Sequence, residues 1–432
     1  MLIGVSESKQ KESIYKQVEP IMIELICFIL GSNGEYLEYM ETGIDLLTLM
    51  TYYPDVISEG MWQCFPKLYE AFDLYAFDYI TSMCDPIDNF IEKSPQLFLS
   101  LKTPTNVRYI DLAVQMVKKV LENDTSDEVE CRKSLIIVAS ILLNCKGGVD
   151  EYLPIINHLL LEKLTKVGAD KLPHTRIAIL QCLGCAFFYN ADLQMAELEK
   201  RSYGGKIVGL WFKEKEGICE KWLACKCTIV GWLAMLTLGS ERLVRSGIDV
   251  GGVLSGVIEM SKTFNDEHMN RTPNNGNRNG GGDWDGEDDF QDMGHFADGN
   301  GGGGGGGGGG DIYEDDGELW EEGGEFDEGP VTDIERPDDL ALGGFMRNMK
   351  EFGEEGDYEW GGEEDGDGED YHKVMGDIQE LQLLEDVLKG CLAREPHIFG
   401  QLQQNIKPEI MASYLELAKA AEQQREEEGK NS

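Results

Sequence analysis

Apolar residues recur at helical spacing along the first 264 residues, and polar residues and glycines separate the apolar runs. Between residues 104 and 190 this pattern predicts four helices, which begin near residues 104, 126, 150 and 173. Thr103 and Pro104 resemble an N-cap and a first helical position, and Thr125 and Glu128 resemble a capping box. Helix pairs therefore repeat about every 46 residues (104 to 150), a period typical of HEAT and armadillo repeats.

Less regular patterns of the same kind flank these four helices. Upstream, helices are predicted over residues 11–30, 35–51, 58–71 and 76–92, and Pro20 and Pro86 are expected to kink or restart two of them. Downstream, helices are predicted over residues 191–199, 206–213, 219–238 and 248–264. Near the end, residues 410–428 are amphipathic, and before Pro396 one predicted helical face carries Val374, Ile378, Leu381, Leu384, Leu388 and Cys391.

Stretches that alternate with a period of two between hairpin turns are almost absent, so the predicted fold class is all-α. Each helix pair can bury its apolar face against its neighbours, which predicts a HEAT-repeat α-solenoid. A compact helical bundle is the alternative, because helices of this length also suit bundles. The predicted organisation is helical repeats over residues 1–264, a disordered acidic glycine-rich loop over 265–372, and C-terminal helices that close the solenoid over 373–432.

The acidic arm, defined here as residues 283–370, interrupts this helical pattern. It holds 32 Asp and Glu against three Arg and Lys, a net charge of −29, together with 25 glycines. Carboxylate repulsion and the entropy of glycine outweigh the little apolar surface that the arm can bury, so we expect it to be disordered. As a mobile polyanion it is a candidate site for basic protein cargo. The candidate cargo-binding carboxylates are those of Asp283, Asp285, Glu287, Asp288, Asp289, Asp315, Asp316, Glu321, Glu322, Glu354, Glu355, Glu363, Glu364, Asp365, Asp367, Glu369 and Asp370.

Charge also restricts the partners of the whole chain. The net charge is −42, so the remainder outside the arm still carries −13 (−42 less −29). Binding to nucleic acid or to an anionic membrane requires clustered Lys and Arg, so neither is expected as a direct partner. A basic protein is the natural complement. No targeting or membrane-spanning segment is evident, and the eleven cysteines are expected to be small core residues of a reduced, intracellular protein.

Several chemical motifs were tested, and none indicates catalysis, a cofactor or a metal site. The ten glycines from Gly301 to Gly310 lack the strand and the Lys that a phosphate-binding loop requires. Asp365, Asp367 and Glu369 resemble the start of a calcium loop, but Asp370 stands where the loop's sharp turn requires glycine. The close cysteine pairs, Cys182 with Cys185 and Cys225 with Cys227, lie in predicted helices without further ligands, so packing is favoured over zinc binding.

The predicted layout is a series of helical repeats, a long acidic loop near their end, and two closing helices. Four further segments are distinctive in sequence: SEGMWQCFPKLYEAFDLYAFDYITSM (58–83), NCKGGVDEYLPIINHLLLEKLTK (144–166), FFYNADL (187–193) and REPHIFGQLQQNIKPEIMASYLELAKAAEQQR (394–425). In this layout, and in the order of these segments, the chain resembles the importin-β-type nuclear transport receptors, and most closely the importin seven and eight subgroup. Family members are much longer, so the chain resembles their carboxy-terminal portion.

The resemblance implies a receptor, not an enzyme, that carries basic cargo such as ribosomal proteins and histones through nuclear pores under Ran control. Its implied partners are Ran, bound mainly through amino-terminal repeats, Phe-Gly nucleoporins and importin-β, and its implied location is the cytoplasm, the nucleus and the nuclear pore. The arm departs from the family in its high glycine content, which lengthens its reach and lowers its charge density. The alternative function is an acidic chaperone or scaffold for basic proteins, without a role in translocation.

Overall fold

The computed structural model describes residues 2–167, 172–266, 372–398, 400 and 406–431, and across these ranges the chain is helical without a β-strand. The acidic arm and most of the predicted loop over 265–372 lie outside the described residues. The helices on the two sides of this gap belong to one compact unit. Within the described part, no helix is both long enough and apolar enough to span a membrane.

The helices form two layers, in which each helix packs on the next member of its own layer. The first layer contains α1 (Leu2–Leu30), α3 (Cys64–Leu74), α6 (Tyr109–Glu122), α8 (Leu153–Lys166) and α10 (Ala191–Lys200). The second layer contains α2 (Met40–Tyr52), α4 (Ile80–Lys93), α7 (Glu128–Asn144), α9 (Pro173–Tyr189), α13 (Trp222–Leu236) and α17 (Glu380–Arg394). This arrangement confirms the all-α solenoid.

The remaining helices connect the layers or extend them at the carboxyl end. The short connecting helices are α5 (Pro95–Ser100), α11 (Gly204–Lys213), α12 (Lys215–Cys219), α14 (Ser240–Arg245) and α16 (His372–Gly376). The two longer ones are α15 (Val250–Phe264) and α18 (Pro408–Asn431), and they pack against each other. Because α15 also packs on α13, and α18 on α17, the final helices continue the stack.

The helix pairs repeat at the predicted spacing, although the predicted helix starts are shifted. From α6 to α8 the starts are 44 residues apart (109 to 153), and from α7 to α9 they are 45 apart (128 to 173). Both intervals fall within the range typical of HEAT and armadillo repeats, about 40–47 residues.

The helix starts predicted near residues 104 and 126 are wrong, because polar groups at both places form turns instead of helix caps. Near residue 104, the Thr103 N–H donates to the Val107 carbonyl at 2.8 Å, and Asn106 adopts a left-handed φ of 65°. These residues form a turn, and α6 begins only after Arg108.

At the second site, the Thr125 hydroxyl donates to the Asn123 side chain at 2.8 Å instead of capping a helix. The capping box of α7 is formed two residues later. The Asp127 carboxylate accepts the Glu130 N–H at 2.8 Å, and the Glu130 carboxylate accepts the Asp127 N–H at 3.1 Å.

Other predicted boundaries also require correction. Pro20 and Pro86 lie inside unbroken helices, so neither helix restarts. The single helix predicted over 219–238 is two helices, α12 and α13, separated by residues 220–221. The predicted face from Val374 to Cys391 is also divided, because α16 ends at Gly376 and α17 begins at Glu380. The sequence pattern did not predict the short helices α5 and α14.

Buried polar groups fix the register between successive helix pairs. In the first layer, the amides of Asn157 and Gln194 donate to each other's oxygens at 2.7 and 2.9 Å, which joins α8 to α10. In the second layer, the Asn89 amide donates to the Thr51 hydroxyl at 3.1 Å, which joins α4 to α2. A register shift of one turn would leave these buried groups without partners, at a cost of about 1–3 kcal/mol for each group.

The helix α13 is the most enclosed member of the second layer: 13 of its 15 residues are buried. It crosses α9 at a point where both helices carry glycine. A Cβ atom on Gly184 would lie 2.7 Å from the Cys227 carbonyl oxygen, and one on Gly231 would lie 2.6 Å from the Gly184 carbonyl oxygen. Because the neighbouring atoms are backbone, they cannot move aside as a flexible side chain would. Only glycine allows the two helices to approach this closely.

A buried ion pair joins α13 to α17, the first long helix after the gap. Lys226 Nζ lies 3.2 Å from a Glu380 carboxylate oxygen, and the two side chains are only 3% and 2% exposed. The ammonium also lies 5.1 Å from the Trp222 ring and 5.9 Å from the Phe264 ring. Buried charges are costly unless they are paired. Separating α17 from α13 would leave both charges unpaired, so the pair favours the packed arrangement of the two helices.

We predict that Gly184→Ala lowers the free energy of unfolding by about 1–3 kcal/mol, because the added methyl group overpacks the crossing of α9 and α13. Gly209→Ala is the matched control: this glycine is also helical, but an added Cβ has no heavy atom within 4 Å. The control should be neutral, or stabilising by up to about 1 kcal/mol. Urea unfolding measures both changes. A Gly184→Ala variant as stable as the control would show that the crossing is not close-packed.

Candidate interaction surface

The carboxylates predicted to bind cargo, from Asp283 to Asp370, all lie outside the described residues. Their role therefore stays a prediction. The described helices carry further groups suited to a protein partner, and these fall into two surfaces.

The first surface is acidic and lies on the second layer. We define the acidic face as Glu41 and Asp45 on α2 together with Asp85 on the adjacent α4. Partial burial raises the pKa of the Asp45 carboxyl, and the charges of Glu41 and Asp85 raise it further. Like charges are thus held close enough to disfavour one another's ionised form.

A single lysine on α7 offsets part of this charge. Lys133 Nζ lies 3.6 Å from an Asp85 carboxylate oxygen, and the Asp85 side chain is about half exposed. Desolvation by the surrounding helices raises the pKa of the Asp85 carboxyl, while Lys133 acts to lower it. The acidic face still has an excess of negative charge. A lysine or arginine from a partner would favour the ionised forms of these carboxyls.

The second surface is an apolar stripe along α1. The stripe consists of residues at alternating spacings of four and three, so they share one side of the helix. Three of its members are largely exposed, at 43%, 59% and 59%: Ile14, Ile21 and Phe28. The other two members, Val18 and Leu25, are partly exposed. Contiguous exposed apolar surface of this kind is typical of protein contact sites.

The two cysteine pairs singled out in the sequence lie at the crossing of α9 and α13. All four thiols are buried. The Cys182 thiol donates to the Leu135 carbonyl at 3.3 Å, and burial raises its pKa well above the ordinary value. A thiol held in its protonated form is a poor metal ligand. The arrangement is that of core packing, and no group of three potential metal ligands occurs among the described residues.

A groove between α7, α9 and α13 is the candidate for a small-molecule site. It is lined mainly by apolar side chains, including Leu135, Ile177 and Leu223. Its cavity volume is about 30 Å³, comparable to the volume that one water molecule occupies in the liquid. Cofactor sites typically enclose about 300–1,000 Å³. The groove is therefore too small for a cofactor.

Sequence reasoning missed the acidic face and one pair of thiols. Asp45 and Asp85 are 40 residues apart, and Cys27 and Cys64, whose sulfurs lie 3.7 Å apart, are separated by 37 residues. Both separations approach the period of the helix pairs. Comparing residues one repeat apart would have identified them as candidates, because successive repeats place equivalent positions side by side.

The chain is similar in sequence to three importins from different organisms. The probable importin-7 homolog of Dictyostelium discoideum is 25% identical over 253 residues, which cover 58% of this chain and 22% of that protein. Human importin-8 is 30% identical over 190 residues, covering 44% of this chain and 17% of importin-8. The importin beta-like SAD2 homolog of Arabidopsis thaliana is 22% identical over 262 residues, covering 59% of this chain and 24% of that protein.

The matched segment thus spans about a fifth of the length of these relatives. No protein-family profile matches the chain. No solved structure matches it either. The three similarities agree with the helical repeats that the structure shows, and together they support a likeness to nuclear transport receptors of the importin-7 and importin-8 kind.

Proposed function

We propose that this chain is part of a nuclear transport receptor that holds basic protein cargo during Ran-dependent import through nuclear pores. The observation that carries the proposal is the similarity to named importins over 58% of the chain. The proposed cargo is of the ribosomal-protein and histone type. The other proposed partners are Phe-Gly nucleoporins, importin-β and Ran. Ran is proposed to bind mainly through amino-terminal repeats of the receptor. The proposed location is the cytoplasm, the nucleus and the nuclear pore.

The acidic arm is proposed to capture the cargo. Its net charge of −29 attracts a basic protein over a distance, and many weak contacts along the arm raise the local concentration of carboxylates around the bound protein. The packing of the C-terminal helices supports a separate role for the arm. Because α17 and α18 pack on α13 and α15, the described helices hold together through contacts to which the arm does not contribute.

The acidic face is proposed as a second contact for the same cargo. In the free protein, burial and the negative charges of Glu41 and Asp85 disfavour the ionised form of the Asp45 carboxyl. A cationic side chain from the cargo would relieve this repulsion, so binding gains free energy that the unbound fold lacks. Electrostatic complementarity of this kind contributes more to specificity and to the association rate than to affinity.

We predict that Asp45→Asn makes the protein more stable at neutral pH. The raised pKa of Asp45 means that its contribution to stability is fully present below the ordinary aspartate pKa, about 3.9, and is lost as the pH rises through the raised value. The substituted amide carries no ionisable group, so the variant does not lose this stability as the pH rises. Because the Asp45 carboxyl is partly exposed and screened by solvent, the free energy of unfolding of the variant should exceed that of the unaltered chain by no more than about 0.5 kcal/mol at pH 7.

Urea unfolding at pH 4 and pH 7 tests this expectation, since the advantage of the variant should grow between the two pH values. Glu59→Gln, which removes an exposed carboxylate, is the control and should show little change. An Asp45→Asn variant that is less stable than the unaltered chain at both pH values would contradict the proposed repulsion.

We predict that deleting residues 283–370 leaves the helices folded but slows association with a basic protein such as a histone. The effect should fade as salt rises from 0.1 M to 1 M, because the Debye length shrinks from about 10 Å to about 3 Å. A second variant keeps the length of the arm and changes its Asp and Glu residues to Asn and Gln. If charge is the cause, this variant should bind as slowly as the deletion.

Stopped-flow fluorescence measures the association rate, and circular dichroism confirms the helical content. The competing explanation is that the arm covers basic groups of the helical body and blocks cargo until it is displaced. Equal or faster association by the deletion variant at low salt would show that the arm inhibits binding rather than promoting it.

An acidic chaperone or scaffold for basic proteins is the second candidate function. The concentration of negative charge in one segment favours it, because shielding a basic protein requires a polyanion and not a translocation surface. A transport receptor additionally requires apolar surface for Phe-Gly repeats. The exposed apolar stripe on α1 supports the receptor, and binding to such repeats distinguishes the two candidates.

A further inference from the structure

Two cysteines from neighbouring first-layer helices meet where α1 packs on α3. The Sγ atoms of Cys27 and Cys64 lie 3.7 Å apart. The structure describes all eleven cysteines of the chain, and Cys27 is the one among them that is not buried. The pair thus joins one partly exposed cysteine to one buried cysteine.

The surroundings divide two chemical roles between these thiols. The hydrogen bond with Cys64 lowers the pKa of the Cys27 thiol, partial burial opposes this shift, and the charge of Lys67 adds to it. The same hydrogen bond, together with burial, raises the pKa of the Cys64 thiol. Cys27 is the partly exposed member of the pair and has the lowered pKa, so it is the nucleophile, and Cys64 is the thiol that reacts with it.

We propose that Cys27 and Cys64 form an oxidation site at which a hydroperoxide converts the two thiols into a disulfide that joins α1 to α3. In the first step, the Cys27 thiolate attacks one oxygen of hydrogen peroxide. The O–O bond breaks, a sulfenic acid forms on Cys27, and hydroxide leaves and takes a proton from solvent. Peroxide accepts the two electrons that the sulfur gives up.

In the second step, the Cys64 sulfur attacks the Cys27 sulfur. The S–S bond forms as the S–O bond breaks, and the hydroxyl leaves as water with the proton of the Cys64 thiol. Two thiols and one peroxide thus yield one disulfide and two waters. The sulfurs must approach from 3.7 Å to the bonded distance of about 2.05 Å.

The chain contains a matched internal control. Cys219 and Cys225 have sulfurs 3.8 Å apart, almost the same separation, but both residues are buried. If proximity alone governed oxidation, the two pairs would react equally. If access and thiolate character govern it, Cys27 and Cys64 should react first.

The test treats the intact chain with hydrogen peroxide at pH 7 and maps the disulfides by mass spectrometry. The Cys27–Cys64 crosslink should form before any other and should disappear on addition of dithiothreitol. In Cys64→Ser, oxidation should stop at a Cys27 sulfenic acid, which dimedone traps. In Cys27→Ser, oxidation of Cys64 should be at least about tenfold slower than in the unaltered chain.

Alkylation provides a readout that requires no substitution. Iodoacetamide should modify Cys27 of the unaltered, folded chain before the other cysteines, at a rate that rises with pH because the thiolate is the reactive form. The proposal is overturned if Cys27 and Cys64 crosslink no faster than Cys219 and Cys225. It is also overturned if alkylation shows no preference for Cys27.

Discussion

The crossing of α9 and α13 is the contact on which the rest of the structure depends. Gly184 and Gly231 allow the two backbones to approach within the distance that a single methyl group would occupy. The close approach encloses α13, which in turn supplies packing surface to α15 and α17. A wider separation would open the second layer between its fourth and fifth helices and would weaken the support for the helices beyond residue 236 that pack on α13. Glycine is required here for its size, not for its conformational freedom.

Charge has two opposite uses in this molecule. Between Lys226 and Glu380, opposite charges are buried and paired, and they fasten the helix that follows the gap to the body. On the acidic face, like charges are held close together near the surface, where a partner can reach them. The first arrangement stabilises the fold itself. The second disfavours the ionised form of Asp45 in the free protein.

Long helices and their repeat period could be predicted from sequence, because apolar spacing over 15 or more residues reflects burial directly. Helix ends could not, since Thr103 and Thr125 resemble caps while their groups serve local turns. The division between α16 and α17 was missed for a related reason: apolar spacing continues across Gly376 although the helix ends there. The acidic face and the pair Cys27 and Cys64 join residues 37 to 40 positions apart, a separation that the apolar pattern within a single helix does not reveal.

The most direct test of the receptor proposal is binding of the intact chain, loaded with a basic protein, to immobilised Phe-Gly repeats. A matched repeat protein in which every Phe is replaced by Ser is the control. The account predicts that the Phe-Gly column retains the loaded chain and that the Ser-Gly column does not. If the chain holds its basic partner but passes through both columns alike, it is an acidic scaffold and not a transport receptor.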